Sequence, residues 1–220
     1  MLSLGSFNEI AKITLLLRMN SFEQILTSRF PKNQITPITF ENELFFLIDF
    51  TKEKGIKVLI TSSFHVYQMP IPEKLNDFEF GQLYFCIPEY WDLTNPENPE
   101  IRWLFEWLNR ITTYTINNNT WLGDGHTYNC TKYGKQLSTT VRQDHLFISN
   151  PIFLEGELTP IELEDKTIHF WALIPIFGDE MDYKQGKGTV KLKKKFLIKG
   201  ITEKLDEYRQ TSLKTRWTFF

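Results

Sequence analysis

The residues best spaced for chemistry lie in Thr120-Trp121-Leu122-Gly123-Asp124-Gly125-His126, where a carboxylate and an imidazole stand two positions apart between glycines. Asp124 and His126 could act as an acid–base pair, since imidazole titrates close to neutral pH. The competing reading is a turn, with Gly123 and Gly125 supplying positive φ and Asp124 bonding its own backbone. No nucleophile elbow or metal signature accompanies the histidine, so the turn is the expectation and no catalytic residue is assigned. A metal would have to draw on His126, Cys130, His145 and His169, of which only His126 and Cys130 are close in the chain. Structural zinc ligands come in close-spaced pairs, so no metal is expected. The glycine fingerprint for phosphate fails as well, because Thr127-Tyr128 follow where its third glycine should fall. No cofactor is expected.

Two charged stretches could meet a partner. Glu89, Asp92, Glu97 and Glu100 surround Trp91. A solvated loop and the first turn of a helix, where acids are stabilised, are the more frequent explanation for such a stretch. Lys184, Lys187, Lys191, Lys193, Lys194, Lys195 and Lys199 form a cationic run. Phosphate contacts could use it. A helix with Val190, Leu192, Phe196 and Leu197 inward and the lysines outward explains it without a ligand, and no exposed aromatics are interleaved to stack bases. A net charge of −2 over 220 residues gives no global attraction to nucleic acid or anionic membrane. Neither is an expected partner.

Several elements must position these groups. Phe7, Ile10, Ile13, Leu16 and Leu17 predict a helix within residues 6–30, with Asn20-Ser21 capping a turn that carries Phe22, Ile25 and Leu26. Leu44–Phe50 and Gly55–Thr61 read as strands, as do Leu83–Ile87, Leu146–Ile148 and Ile168–Phe177. A helix is predicted over residues 99–116. Asn98 is its N-cap and Pro99 its first residue, Ile101, Leu104, Leu108 and Ile111 line one face with Trp107 beside them, and Asn117-Asn118-Asn119 stops it. Residues 123–144 read as a long loop, and Glu180–Gln185 and Thr189–Lys199 as short helices. With no repeat and no long linker, the expected fold is one α+β domain, a mostly antiparallel or mixed sheet flanked by helices. Residues 1–34 would be a helical segment packed on a domain of residues 35–220.

Nineteen phenylalanines give that domain an adequate core. Two cysteines, Cys86 and Cys130, are too few for a disulfide framework and suit a reduced compartment, so a cytoplasmic location is expected. The apolar run Ile13–Leu17 is far shorter than the roughly 20 residues of a membrane span, and Glu9 and Lys12 interrupt any signal-peptide core. The sequons at Asn118 and Asn129 would then carry no meaning.

Read in order, the segments resemble a known family. Leu59-Ile60-Thr61-Ser62-Ser63, then Leu83–Trp91 ending in Pro88-Glu89-Tyr90-Trp91, then Trp107-Leu108, then Asn119-Thr120-Trp121-Leu122-Gly123-Asp124-Gly125-His126-Thr127 are similar to the suppressor-of-fused domain in its bacterial, single-domain form. Phe170–Ile176, Glu180-Met181, Gly200-Ile201, Leu205-Asp206 and Arg209 continue the likeness, which covers about residues 35–210. The resemblance implies protein binding without catalysis. Animal relatives grip an extended peptide of a transcription factor, and bacterial relatives are often encoded beside polymorphic toxins, as immunity proteins. The expectation is therefore a protein that masks a toxin sterically. Its contact residues would be Trp121, Asp124, His126 and Tyr128 in the glycine loop, with the acids Glu89, Asp92 and Asp144. The rivals are a regulator that binds an extended peptide, which needs an accessible sheet edge, and an enzyme built on Asp124 and His126.

Overall fold

The computed structural model describes residues 22–75, 77–131 and 137–214. The expected first helix is seen as α1, residues 22–29, with Phe22 and Leu26 fully buried one turn apart; its earlier part and the Asn20-Ser21 cap lie outside the described residues. Two strands follow as a hairpin, β1 (Ile35–Phe40) and β2 (Glu43–Phe50). Its turn residues Glu41 and Asn42 both have positive φ, the twist a two-residue hairpin needs. A single turn of helix, α2 (Thr51–Lys54), ends on left-handed Gly55 and leads into β3 (Ile56–Thr61) and β4 (Phe80–Pro88).

Helix α3 (Arg102–Asn117) buries Leu104, Leu108, Ile111, Trp103 and Trp107, the face its periodicity predicts. Asn98 caps the turn before it: its side chain accepts the Glu100 N–H, and its carbonyl accepts those of Ile101 and Arg102. The stretch expected as loop contains a short strand, β5 (Thr127–Asn129). Then come β6 (His145–Ser149), β7 (Ile161–Glu162), β8 (Thr167–Ile176), α4 (Gly178–Lys187) and α5 (Thr189–Lys199).

The eight strands make one mixed sheet in the order β1-β2-β3-β4-β8-β6-β5, with β7 paired to β8. All neighbours are antiparallel except β4 and β8. Side chains alternate between its faces, and both faces are covered. Phe45, Leu59, Phe85 and Trp171 join the core under α3, while Phe46, Ile60, Tyr84 and Ala172 join Phe22, Leu26, Leu192 and Phe196 on the other side. Trp171 sits so close to Gly81 that a Cβ there would overlap its six-membered ring. Gly81→Ala is therefore expected to cost about 1–3 kcal/mol from overpacking, read as a fall in the denaturation midpoint with an unchanged slope.

The sheet splits at its middle. Residues 80–84 of β4 pair with residues 168–172 of β8, after which β8 pairs with β6 and leaves the second half of β4 open on that side. The chain after α5 fills the gap. Lys204 bridges Cys86 in parallel, and the Leu205 N–H donates to the Cys86 carbonyl at 2.9 Å. Gln143 donates to the Asp206 carbonyl, and Arg209 donates to the Pro175 carbonyl at the far end of β8.

One expectation about α5 is overturned. Leu192 and Phe196 point inward, but Val190 and Leu197 are 81% and 78% exposed. At 100° per residue, 192 and 196 share a stripe, while 190 lies about 160° from 192 and cannot join it. Val190, Leu197 and Ile198 instead stand in solvent among the lysines.

Candidate protein-binding site

The chain builds a pocket where α3 ends. The last two turns of α3 present Ile111, Tyr114 and Thr115 on one side, as residues three and four apart must. Thr120 then turns the chain back, its N–H bonding the Thr115 carbonyl. The loop that follows is a closed turn. The His126 N–H donates to the Gly123 carbonyl, and the Gly123 N–H donates to His126 Nδ1 at 3.2 Å. Gly125 is required twice over: its φ is +89°, and a Cβ would press on Thr189.

The pairing that acid–base chemistry needs is not made. Asp124 turns away from the imidazole, accepts the Asn150 N–H at 3.1 Å and forms an ion pair with Lys193. It ties the turn to the end of β6 and to α5. His126 uses Nδ1 as an acceptor, so the neutral ring carries its proton on Nε2. Burial first, and then the Lys184 charge, hold its pKa below the usual histidine value, with Asp124 opposing them. Trp121 lies against His126 with centroids 4.4 Å apart, and Tyr128 meets Trp107 and Tyr114 edge-on.

Trp121, His126 and Tyr128 are thus brought together, lining a cavity of about 310 Å³ with Tyr114, Leu122, Ile148 and Lys184. The acids do not share it. Asp124 and Asp144 flank opposite ends of β6, and Glu89 and Asp92 follow β4. Asp144 bonds His145 Nδ1 at 2.8 Å. Asp92 closes a turn on the Thr94 N–H, and that bond lowers its pKa. Glu89 stands exposed on the rim of a groove of about 970 Å³ beside the chain that fills the sheet split. Among the described residues no three potential metal ligands cluster. Cys130 is buried, which pushes its thiol up to about 12 with help from the Asp144 charge, and makes it a packing residue.

Sequence reasoning missed Lys184, which it placed on a solvated helix. Its position three residues after buried Met181 was the available signal. It also missed two carboxylates that fix the chain after α5. Glu180 is fully buried, takes a two-pronged contact from Arg209 at 2.8 and 2.9 Å, and accepts the N–H groups of Phe177 and Ser212. Glu203 is buried beside the split and accepts three successive N–H groups, from Ile152, Phe153 and Leu154, at 2.8–3.0 Å.

A mixed sheet whose split is filled by the residues after α5, with a tryptophan–histidine turn behind α3, defines an α+β domain of recognisable type. The family model "Suppressor of fused protein (SUFU)" matches residues 34–210, and the chain belongs to that family. Solved structures agree on the fold. A suppressor-of-fused homologue from Neisseria gonorrhoeae superposes with a TM-score of 0.66 at 17% identity, over 91% of this chain and 99% of that one. A chain of the Sufu–Fu complex gives 0.63 at 13% identity, over 89% and 92%. Drosophila Suppressor of Fused gives 0.59 at 14% identity, over 85% of this chain but 49% of the Drosophila one. No curated protein matches.

Proposed function

We propose that this chain is a non-catalytic protein-binding module that works in the cytoplasm, masking a partner protein in the manner of an immunity protein against a toxin encoded beside it. The observation that carries the protein-binding part is membership of a family whose fold recurs, over 92% of its chain, in a structure of a Sufu–Fu complex. The separation of Asp124 from His126 by the Asn150 and Lys193 contacts supports a binding role over an acid–base one. Among the described residues no helix is long and apolar enough to cross a membrane. Steric masking needs a rigid surface with aromatic anchors and a charged rim. Trp121, Tyr114 and Tyr128 beside Lys184, with Asp124 on the outer turn, supply one.

A second reading, a regulator that takes up an extended peptide, rests on β1. It pairs only with β2 in the described sheet. The Asp49 N–H bonds the Gln34 carbonyl, so residues 34, 36, 38 and 40 face β2, while 35, 37 and 39 face outward. Pro37 falls in the outward set and removes a donor from the edge, a device that discourages strand addition. That favours the first reading. Growth rescue tests it: expressing the chain together with the product of the adjacent gene should restore growth that the product alone arrests. Unrelieved arrest would count against the immunity role.

A further inference from the structure

Lys184 is unusual among the half-buried cations. Several others meet strong acceptors: Lys193 meets Asp124, Lys54 meets Glu157, and Lys57 and Lys166 meet the carbonyls of Trp91 and His65. The Lys184 ammonium has the neutral hydroxyl of Thr127 at 3.2 Å, and no carboxylate lies within ion-pair distance among the described residues. Burial alone pulls its pKa down, as expected for a charge without a counter-ion. It lines the same cavity as His126, whose Nδ1 is occupied by Gly123 and whose proton therefore sits on Nε2. Two donors thus share a site otherwise walled by Tyr114, Trp121, Tyr128 and Ile148.

We propose that this pocket receives a side-chain carboxylate of the partner protein, with Lys184 and His126 taking the oxygens and the aromatic rings covering the neighbouring apolar side chains. This deepens the protein-binding reading and rests on it. One ammonium and one neutral imidazole bring a single formal charge, which a carboxylate balances; a phosphate dianion would leave excess charge in a half-buried site. The cavity, about 310 Å³, holds a side chain or two rather than a whole element.

The test uses two synthetic peptides, acetyl-Val-Glu-Phe-Glu-Val-amide and its Gln counterpart, with phenylacetate as a small-acid probe. Binding is followed through the amide NMR signals of His126, Thr127 and Tyr128. The Glu peptide should bind at least tenfold tighter than the Gln peptide and tighter than phenylacetate. Lys184→Gln should erase the preference while leaving the thermal midpoint unchanged or higher, because an uncompensated ammonium has been removed. Equal binding of the two peptides overturns the proposal. So does tighter binding of phenylacetate, which would mark a site for a free small acid. If a partner complex forms with undiminished affinity for Lys184→Gln, the pocket lies outside the interface and this inference falls while the proposed function stands. If the peptides discriminate but no partner complex forms, the carboxylate pocket stands and the proposed function falls.

Discussion

Arg209→Met is expected to destabilise the fold by about 3–5 kcal/mol, the usual cost of stranding one member of a buried ion pair. Arg209 is the sole cation bonded to Glu180 among the described residues, and Glu180 is fully buried at the start of α4. The two N–H donors that remain, from Phe177 and Ser212, cannot supply a full counter-charge. The loss should be largest at neutral pH. Burial by itself would raise the Glu180 pKa, but the Arg209 hydrogen bonds and charge, together with the Ser212 and Phe177 N–H groups, outweigh it and hold the carboxyl below its ordinary value. A carboxyl depressed on folding contributes stability above its unfolded pKa, near 4.3, and that contribution is lost as pH falls through the folded value. In the parent, stability should therefore decline below about pH 4 as this term disappears. In Arg209→Met the decline should be shallower or reversed, because protonation then relieves an unpaired charge. Urea unfolding of both forms between pH 3 and 7 reads the difference. Parallel pH profiles would show that the pair contributes nothing specific.

Glu203→Gln should cost a comparable amount, about 3–5 kcal/mol, by a different route. The carboxylate accepts three consecutive N–H groups of residues 152–154, and hydrogen bonds to a charged acceptor contribute about 1.5–3 kcal/mol each. An amide offers a single oxygen and brings its own N–H₂ into a site made of donors, including the Tyr84 hydroxyl at 3.4 Å. Glu203 is next to Lys204, whose bridge to Cys86 fills the sheet split. The damage should therefore spread to that segment: hydrogen exchange at Leu205 should accelerate while α3 stays protected. Unchanged exchange at Leu205 would mean that Glu203 does not hold the segment in place.

The sequence made the centre of the fold legible because β2, β3 and β4 are largely buried on both faces and carry the apolar runs Leu44–Ile48, Val58–Ile60 and Leu83–Pro88. Helix α3 was legible because its Leu and Trp spacing repeats at 3.6 residues. The edges were not. β5 and β7 are three and two residues long, too short for any alternation to register. The split in the sheet left no local trace, since it depends on β8 leaving β4 halfway along. The α5 error arose because that helix carries apolar residues on two stripes, and periodicity cannot say which one the sheet will cover. At the pocket, the Trp121–Tyr128 loop drew attention through its glycines and aromatics. Lys184, Glu180 and Glu203 did not, because a charged residue in a sequence gives no sign of whether its counter-charge is present, absent or replaced by backbone N–H groups.

This surface should take up another protein. The direct measurement is calorimetric titration of the purified chain with the purified product of the adjacent gene, with gel filtration of the mixture. The prediction is a saturable complex with a Kd below about 1 μM, eluting ahead of either component. Independent elution and no heat of binding with both proteins at high micromolar concentration would contradict it.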